Sequence, residues 1–258
     1  MPGVVAADDR GFTLGDGLFE TVLADHGELK HLDEHLDRMT AGCRILDLPA
    51  PEREEACRAM REALAAAGLA NTRAAVRLTL TAGAGGRGLD RPHGLSPLLV
   101  ATAASAPPPP GPAHLVTVEV RRNDRSPTSR LKTLAYLDNV LARAEARARG
   151  VDEALMLNTH GEVACAAAAN IFWLEGGRLH TPDLACGVLA GLTRARVLAA
   201  ASSLGLLVVQ TRTEVAALER ASSAFLTNSL IGLRPVASLD GRPLAPWSGL
   251  ADLAAAVG

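Results

Sequence analysis

Apolar residues alternate with polar ones along several short stretches of this 258-residue chain and recur at helical spacing along others. In the first hundred residues, the stretch from Leu18 to Ala24 is strand-like and closes on the turn residues Asp25-His26-Gly27. Leu32, Leu36, Met39, Cys43 and Leu46 then follow the three-four rhythm of a helix with one buried stripe. A second helix is expected from Pro51 to about Ala67, stopped by Gly68. Val76, Leu78 and Leu80 alternate with Arg77, Thr79 and Thr81, the pattern of a half-buried strand. The opening segment, with Asp8-Asp9-Arg10-Gly11 and Gly15-Asp16-Gly17, reads as turns.

A proline-rich stretch, Pro107 to Pro110 followed by Gly111-Pro112, can form neither a helix nor a central strand. It predicts a small α/β domain over 1–104, a linker over 105–113 and a larger domain over 114–258. In the second half, strands are expected at His114 to Val120, Ala154 to Leu157, Asn170 to Leu174, Leu179 to Thr181, Leu206 to Gln210 and Ala224 to Thr227. Asn123 to Ser129 reads as a polar loop. A helix from about Tyr136 to Arg149 would bury Leu137, Leu141 and Ala144 and end at Gly150, and another begins near Thr193. The fold class is α/β (α+β).

Composition narrows the function. The 26 Lys+Arg against 28 Asp+Glu give a formal charge of −2, which argues against a nucleic-acid protein or a polybasic membrane binder. No apolar run reaches the ~18 residues of a membrane span, and the N-terminus has no signal-peptide pattern, so a cytoplasmic protein is expected. Cys43, Cys57, Cys165 and Cys186 form no C-x-x-C pair, which argues against a disulfide scaffold or a zinc ribbon. The basic residues are nearly all arginine; the lysines are Lys30 and Lys132. Only an amine that loses its proton can bond an aldehyde, so in an arginine background each lysine is a candidate nucleophile.

Several local patterns carry candidate chemistry. Gly83-Ala-Gly85-Gly-Arg87-Gly88 fits G-x-G-x-x-G after a strand, but Leu89 to Gly94 cannot open the helix that a dinucleotide site needs. A turn that brings Arg87 and backbone amides toward an anion is the better reading. His31-Leu-Asp-Glu34-His35 fits H-x-x-E-H, yet no further motif completes a metal site, so no metal is expected. Leu189 to Leu192 lead into a helix at Thr193, whose free amides and dipole suit a phosphate. Thr227-Asn228-Ser229 ends a strand with three hydrogen-bonding side chains, and Arg38 projects from the first long helix.

These patterns occur together in an order that resembles the class IV, or fold type IV, pyridoxal-phosphate enzymes. Asp9-Arg10-Gly11 through Gly15-Asp16-Gly17-Leu-Phe19-Glu20-Thr21 is similar to that family's opening signature. His31 to Met39, Lys132 to Asn139, Gly191 to Arg194 and Thr227 to Leu230 resemble its later blocks, over nearly the whole chain. The resemblance implies a two-domain fold with a smaller N-terminal domain, pyridoxal 5'-phosphate as cofactor, and a homodimer acting on a small amino-acid-like substrate. It implies Lys132 as the Schiff-base lysine, with Arg38, Leu192, Thr193, Asn228 and Ser229 around the cofactor phosphate and Tyr136 near the cofactor. Arg87 and Phe19 would meet the substrate.

Two departures stand out. Cys165 occupies the register at which the family has a glutamate for the pyridine nitrogen; a neutral thiol there would weaken the cofactor as an electron sink. The family also has an extra strand before the position of Asp9, so either the small domain lacks an edge strand or the chain starts late. Three activities are open. The glycine run with Arg87, and Thr227 to Leu230, resemble the 4-amino-4-deoxychorismate lyases, which release pyruvate and leave 4-aminobenzoate. A D-amino-acid transaminase is the alternative, although Phe19 and Leu89 replace a tyrosine and a histidine of that branch. A cofactor-binding protein that has lost turnover is the third.

Overall fold

In the computed structural model, which describes residues 5–258, the chain divides into two compact units. The first comprises Met1–Pro107 with Leu131–Ala135, and the second Pro108–Arg130 with Tyr136–Gly258. The first four residues lie outside the described part, and the expectation about a strand before Asp9 falls partly on them.

The first unit opens with a one-turn helix, α1 (Arg10–Leu14), where turns were expected; the Asp9 carboxylate accepts from the Phe12 amide and starts it. Strand β1 (Gly17–Asp25) turns into the short β2 (Glu28–Leu29), and two helices follow, α2 (Leu32–Leu46) and α3 (Arg53–Ala66). Acids sit in the first turn of each helix, Asp33 and Glu34 in α2 and Glu54 and Glu55 in α3, where they oppose the helix dipole. Strands β3 (Ala74–Thr81) and β4 (Leu98–Ser105) complete an antiparallel sheet in the order β2-β1-β3-β4. Strand β4 was not foreseen, because LLVATAAS lacks clean alternation. The inward stripe of α2 (Leu36, Met39, Cys43) packs with Ala56, Met60 and Leu64 of α3 against Leu18, Val22, Val76 and Leu78 of the sheet.

The second unit holds a mixed sheet. Its elements are β5 (Ala113–Arg122), α4 (Leu137–Ala148), β6 (Glu153–Asn158), β7 (Val163–Ala166), β8 (Asn170–Glu175), β9 (Arg178–Pro182) and α5 (Leu192–Ser203). They are followed by β10 (Val208–Thr211), α6 (Ala216–Glu219), β11 (Ser223–Asn228), β12 (Gly232–Leu239), β13 (Arg242–Pro243) and α7 (Leu250–Val257). The strand order is β10-β9-β8-β11-β12-β5-β6-β7, with β13 on β12. Phe172, Phe225 and Leu179 pack against Val197 and Ala201 of α5 and Leu253 of α7.

Helix α4 corrects a sequence expectation. Leu137 and Leu141, expected inside, are 68% and 50% exposed, and Asn139, Ala142 and Ala146 face inward instead. Ala142 and Ala146 meet Val118, Ala154 and Met156, so small side chains make the contact between this helix and its sheet. No helix of the described residues is long and apolar enough to cross a membrane.

Candidate active site

In the first unit, Leu131–Ala135 lies antiparallel along the start of β1. The Phe19 amide donates to the Lys132 carbonyl at 2.8 Å, the Leu134 amide donates to Gly17 O at 3.0 Å, and Leu18 bridges to Thr133. This register sets Lys132 beside Phe19, with its Nζ 4.1 Å from the ring centroid. The Arg77 guanidinium lies 3.6 Å from the same centroid, reached from β3, where Arg77 stands opposite Thr21. Burial pulls the Lys132 amine down to about 8; Glu20 opposes the shift, and the charges of Arg38 and Arg77 add to it. An amine at that value is deprotonated in appreciable fraction near neutral pH, as a nucleophile must be.

Alternation along β1 points Leu18, Glu20, Val22 and Ala24 toward the helices, so one carboxylate stands in an apolar row. Glu20 is 1% exposed. It accepts from Arg38 Nε at 2.8 Å, from Arg38 Nη2 at 2.6 Å and from His35 Nδ1 at 2.7 Å. Burial favours protonation of Glu20, but the His35 and Arg38 hydrogen bonds and charges outweigh it and hold the carboxyl below its ordinary range. His35 is therefore tied to a carboxylate, and among the described residues no group of three His, Cys, Asp or Glu could hold a metal ion.

The glycine run after β3 forms a loop, with no helix following it. Gly83 is required there: at φ +85° its Cβ would lie 1.9 Å from the Ser96 carbonyl oxygen. Buried Arg10 pins this loop, donating to Leu89 O at 3.0 Å and Asp90 O at 3.1 Å, with its Nε on Asp16 at 2.9 Å. Arg91 donates twice to the same Asp16, at 3.0 and 2.6 Å. Arg87 is exposed on the loop.

In the second unit, α5 starts at Leu192 after Gly191 with no side-chain cap, so its first-turn amides are not claimed by the helix. Asn170 closes one side: its Oδ1 would lie 2.0 Å from a Cβ on Gly191, and its Nδ2 donates to Leu189 O at 3.0 Å. Thr227 pairs with Asn170 across β11 and β8, and its Oγ1 is buried without a hydrogen-bond partner. Uncapped amides, the Thr193 side chain and this orphaned hydroxyl are donors of the kind a dianion takes. Ser229 is half-buried in the following turn, while Asn228 is engaged in building it, accepting from the Leu230 and Ile231 amides at 2.9 Å each. Tyr136 is half-buried at the N-cap of α4.

Cys165 lies buried on β7 in a small cluster with Ala164, Cys186 and Val188. Burial pushes its thiol up; the Arg122 charge opposes this and Glu153 adds to it. Arg122 is itself buried and donates to neutral oxygens, Gly187 O at 2.9 Å, Asn139 Oδ1 at 3.2 Å and Ser129 O. Glu20, Arg77 and Arg122 were not singled out from the sequence. Glu20 was the most legible, as a lone acid on the inward face of an alternating strand.

The uncapped amides of α5 and the orphaned Thr227 hydroxyl suit a phosphate, and, separately, the lowered amine of Lys132 suits an aldehyde. The family model for amino-transferase class IV matches residues 17–239. A provisionally named branched-chain-amino-acid aminotransferase of Methanocaldococcus jannaschii is 34% identical over 244 residues, covering 92% of this chain and 83% of that protein. The aminodeoxychorismate lyase of Bacillus subtilis is 28% identical, covering 92% and 82% respectively. The crystal structure of 4-amino-4-deoxychorismate lyase from Pseudomonas aeruginosa superposes with a TM-score of 0.87 at 31% identity, over 98% of this chain and 94% of that one. With the signature blocks in order and a matching fold, the chain belongs to the class IV aminotransferase family.

Proposed function

We propose that this member of the family is a pyridoxal-phosphate-dependent lyase of the aminodeoxychorismate type, releasing pyruvate and leaving 4-aminobenzoate. The observation that carries the reading is Lys132, an amine set beside Phe19 and lowered to about 8 where Lys30 is the only other lysine. Bound pyridoxal phosphate supplies an aldehyde for an amine and a ring that accepts electrons from the substrate Cα. Lys132 would hold the cofactor through that aldehyde, and its free amine would take and return the substrate Cα proton. Arg38, the amides of Leu192 and Thr193, and the side chains of Thr193 and Ser229 would hold the phosphate, with Asn228 shaping the turn that presents Ser229 and Thr227 adding its orphaned hydroxyl.

Arg87 on the glycine loop and Phe19 meet the substrate, and Arg77 offers a second guanidinium for a dicarboxylate. Tyr136 would stand near the cofactor. Cys165 would stand toward the ring nitrogen with a neutral thiol in the field of Arg122, and a ring held so would withdraw electrons less strongly than beside a carboxylate. A homodimer and a cytoplasmic location complete the reading.

A second reading, transamination, is favoured by the 34% identical aminotransferase relative. One series separates the two. Purified protein is loaded with pyridoxal phosphate, reduced with borohydride and mapped by mass spectrometry; an adduct on Lys132 is expected. The loaded protein then receives D-alanine, L-glutamate, D-glutamate or aminodeoxychorismate. Pyruvate and 4-aminobenzoate from the last, with no amination of the cofactor by the others, supports the lyase. Amination by a simple amino acid supports the transaminase and shows the hand of its donor. Absence of any adduct on Lys132 overturns both.

A further inference from the structure

We infer that Glu20 is a positioning residue for the reactive amine: its buried carboxylate fixes the Arg38 guanidinium and balances the cations that surround Lys132. The inference rests on the proposed function only for its consequence in catalysis, since the electrostatic arrangement belongs to the chain itself.

The geometry is specific. Both oxygens of Glu20 are engaged, Oε1 by Arg38 Nε and Oε2 by Arg38 Nη2 and His35 Nδ1. Two parallel bonds from one guanidinium define its plane as well as its position, so Arg38 has one orientation while Glu20 is ionised. A carboxylate in the apolar row of β1 is costly unless paired, and the two residues that pair it lie three positions apart on α2, at the spacing that puts them on one face.

The charged groups acting on Lys132 are Glu20 from β1, Arg38 from α2 and Arg77 from β3, with His35 tied to Glu20. Glu20 is the anion of that set. It keeps the amine from falling further under burial and two guanidinium charges, so that Lys132 holds or releases a proton near neutral pH. A role confined to packing predicts a different result. Loosening the cluster would admit water and return the amine toward its ordinary value, upward, whichever residue is removed.

The chain's two lysines make this measurable. Full-length protein free of cofactor is labelled with 13C at lysine Cε and titrated by NMR, giving two resonances, with Lys30 on β2's flank as internal reference. In Glu20→Gln the Lys132 midpoint is expected to fall from about 8 by about one pH unit, with Lys30 unmoved. In Arg38→Gln, which keeps the Glu20 carboxylate and its His35 bond, the midpoint is expected to rise. A Lys132 midpoint that stays or rises in Glu20→Gln overturns the inference. Should that variant fail to fold, Glu20→Asp, which keeps the charge and loosens the packing, is expected to leave the midpoint near that of wild type, and a rise there overturns the inference equally. No cofactor enters the titration, so failure of the borohydride mapping would refute the functional reading and leave this result standing.

Discussion

Replacing Lys132 with methionine should stabilise the cofactor-free protein while abolishing its reaction with pyridoxal phosphate. Methionine keeps the unbranched stem and removes the amine. The fold lowers that amine from the ordinary 10.5 to about 8, and at about 1.4 kcal/mol per pH unit the difference comes to about 3 kcal/mol. Lys132 is half-buried, and screening by the water it still meets reduces this to roughly 2 kcal/mol. Below pH 8 the amine is protonated in both folded and unfolded chains, so the folded chain carries the full cost. Above 10.5 it is neutral in both, and the cost disappears. Wild-type stability should therefore climb between about pH 8 and 10.5, where the unfolded chain binds the extra proton. The variant should lack that rise and exceed wild type by roughly 2 kcal/mol at pH 7. Urea unfolding at pH 7, 8, 9 and 10 should be followed by hydrogen exchange of the Phe19 and Leu134 amides, which report on this segment directly. A variant no more stable at pH 7, or one with the wild-type pH slope, would refute the reasoning.

Gly191→Ala should push Asn170 off Leu189, because its Cβ would lie 2.0 Å from Asn170 Oδ1; a loss of about 1–3 kcal/mol in unfolding experiments is expected, with weaker retention of pyridoxal phosphate in equilibrium titration. Thr227→Val removes a buried hydroxyl that lacks a partner; cofactor-free stability should hold or improve by about 1 kcal/mol, while cofactor affinity drops roughly tenfold as one donor to the phosphate is lost. Stability lost with affinity intact would count against a phosphate role. Cys165→Glu places a carboxylate in the field of Arg122 and should strengthen the electron sink, raising single-turnover release of 4-aminobenzoate from aminodeoxychorismate by about tenfold; an unchanged rate in a fully loaded variant would separate Cys165 from the ring nitrogen.

Large apolar residues made the first unit legible. The stripe of α2 and the alternation of β3 identified their own inward faces. Helix α4 misled because alanine is the packing residue there: Ala142 and Ala146 meet the sheet, and the exposed leucines carried the stronger apolar signal. Strand β4 and helix α7 were missed for a related reason, their alanine-rich segments having little alternation or contrast. At the candidate site, Lys132 and the uncapped start of α5 were visible as a rare residue and a glycine-led helix. Glu20 and Arg122 depend on contacts with residues far away in sequence, which periodicity does not record.

The membership of Leu131–Ala135 in the first unit has a consequence for biosynthesis. On the ribosome, the helices and sheet of the first unit emerge by residue 107, yet the segment that bonds β1 at Phe19 and Gly17 follows only after β5 of the second unit has been made. The edge of β1 that will carry the lysine must wait, exposed, for about two dozen further residues, a delay of seconds at ordinary elongation rates. A chain cut at the proline-rich stretch would keep the helices and sheet of the first unit and lose Lys132. Recombination at that boundary would therefore part the first unit's sheet from the later segment that completes it.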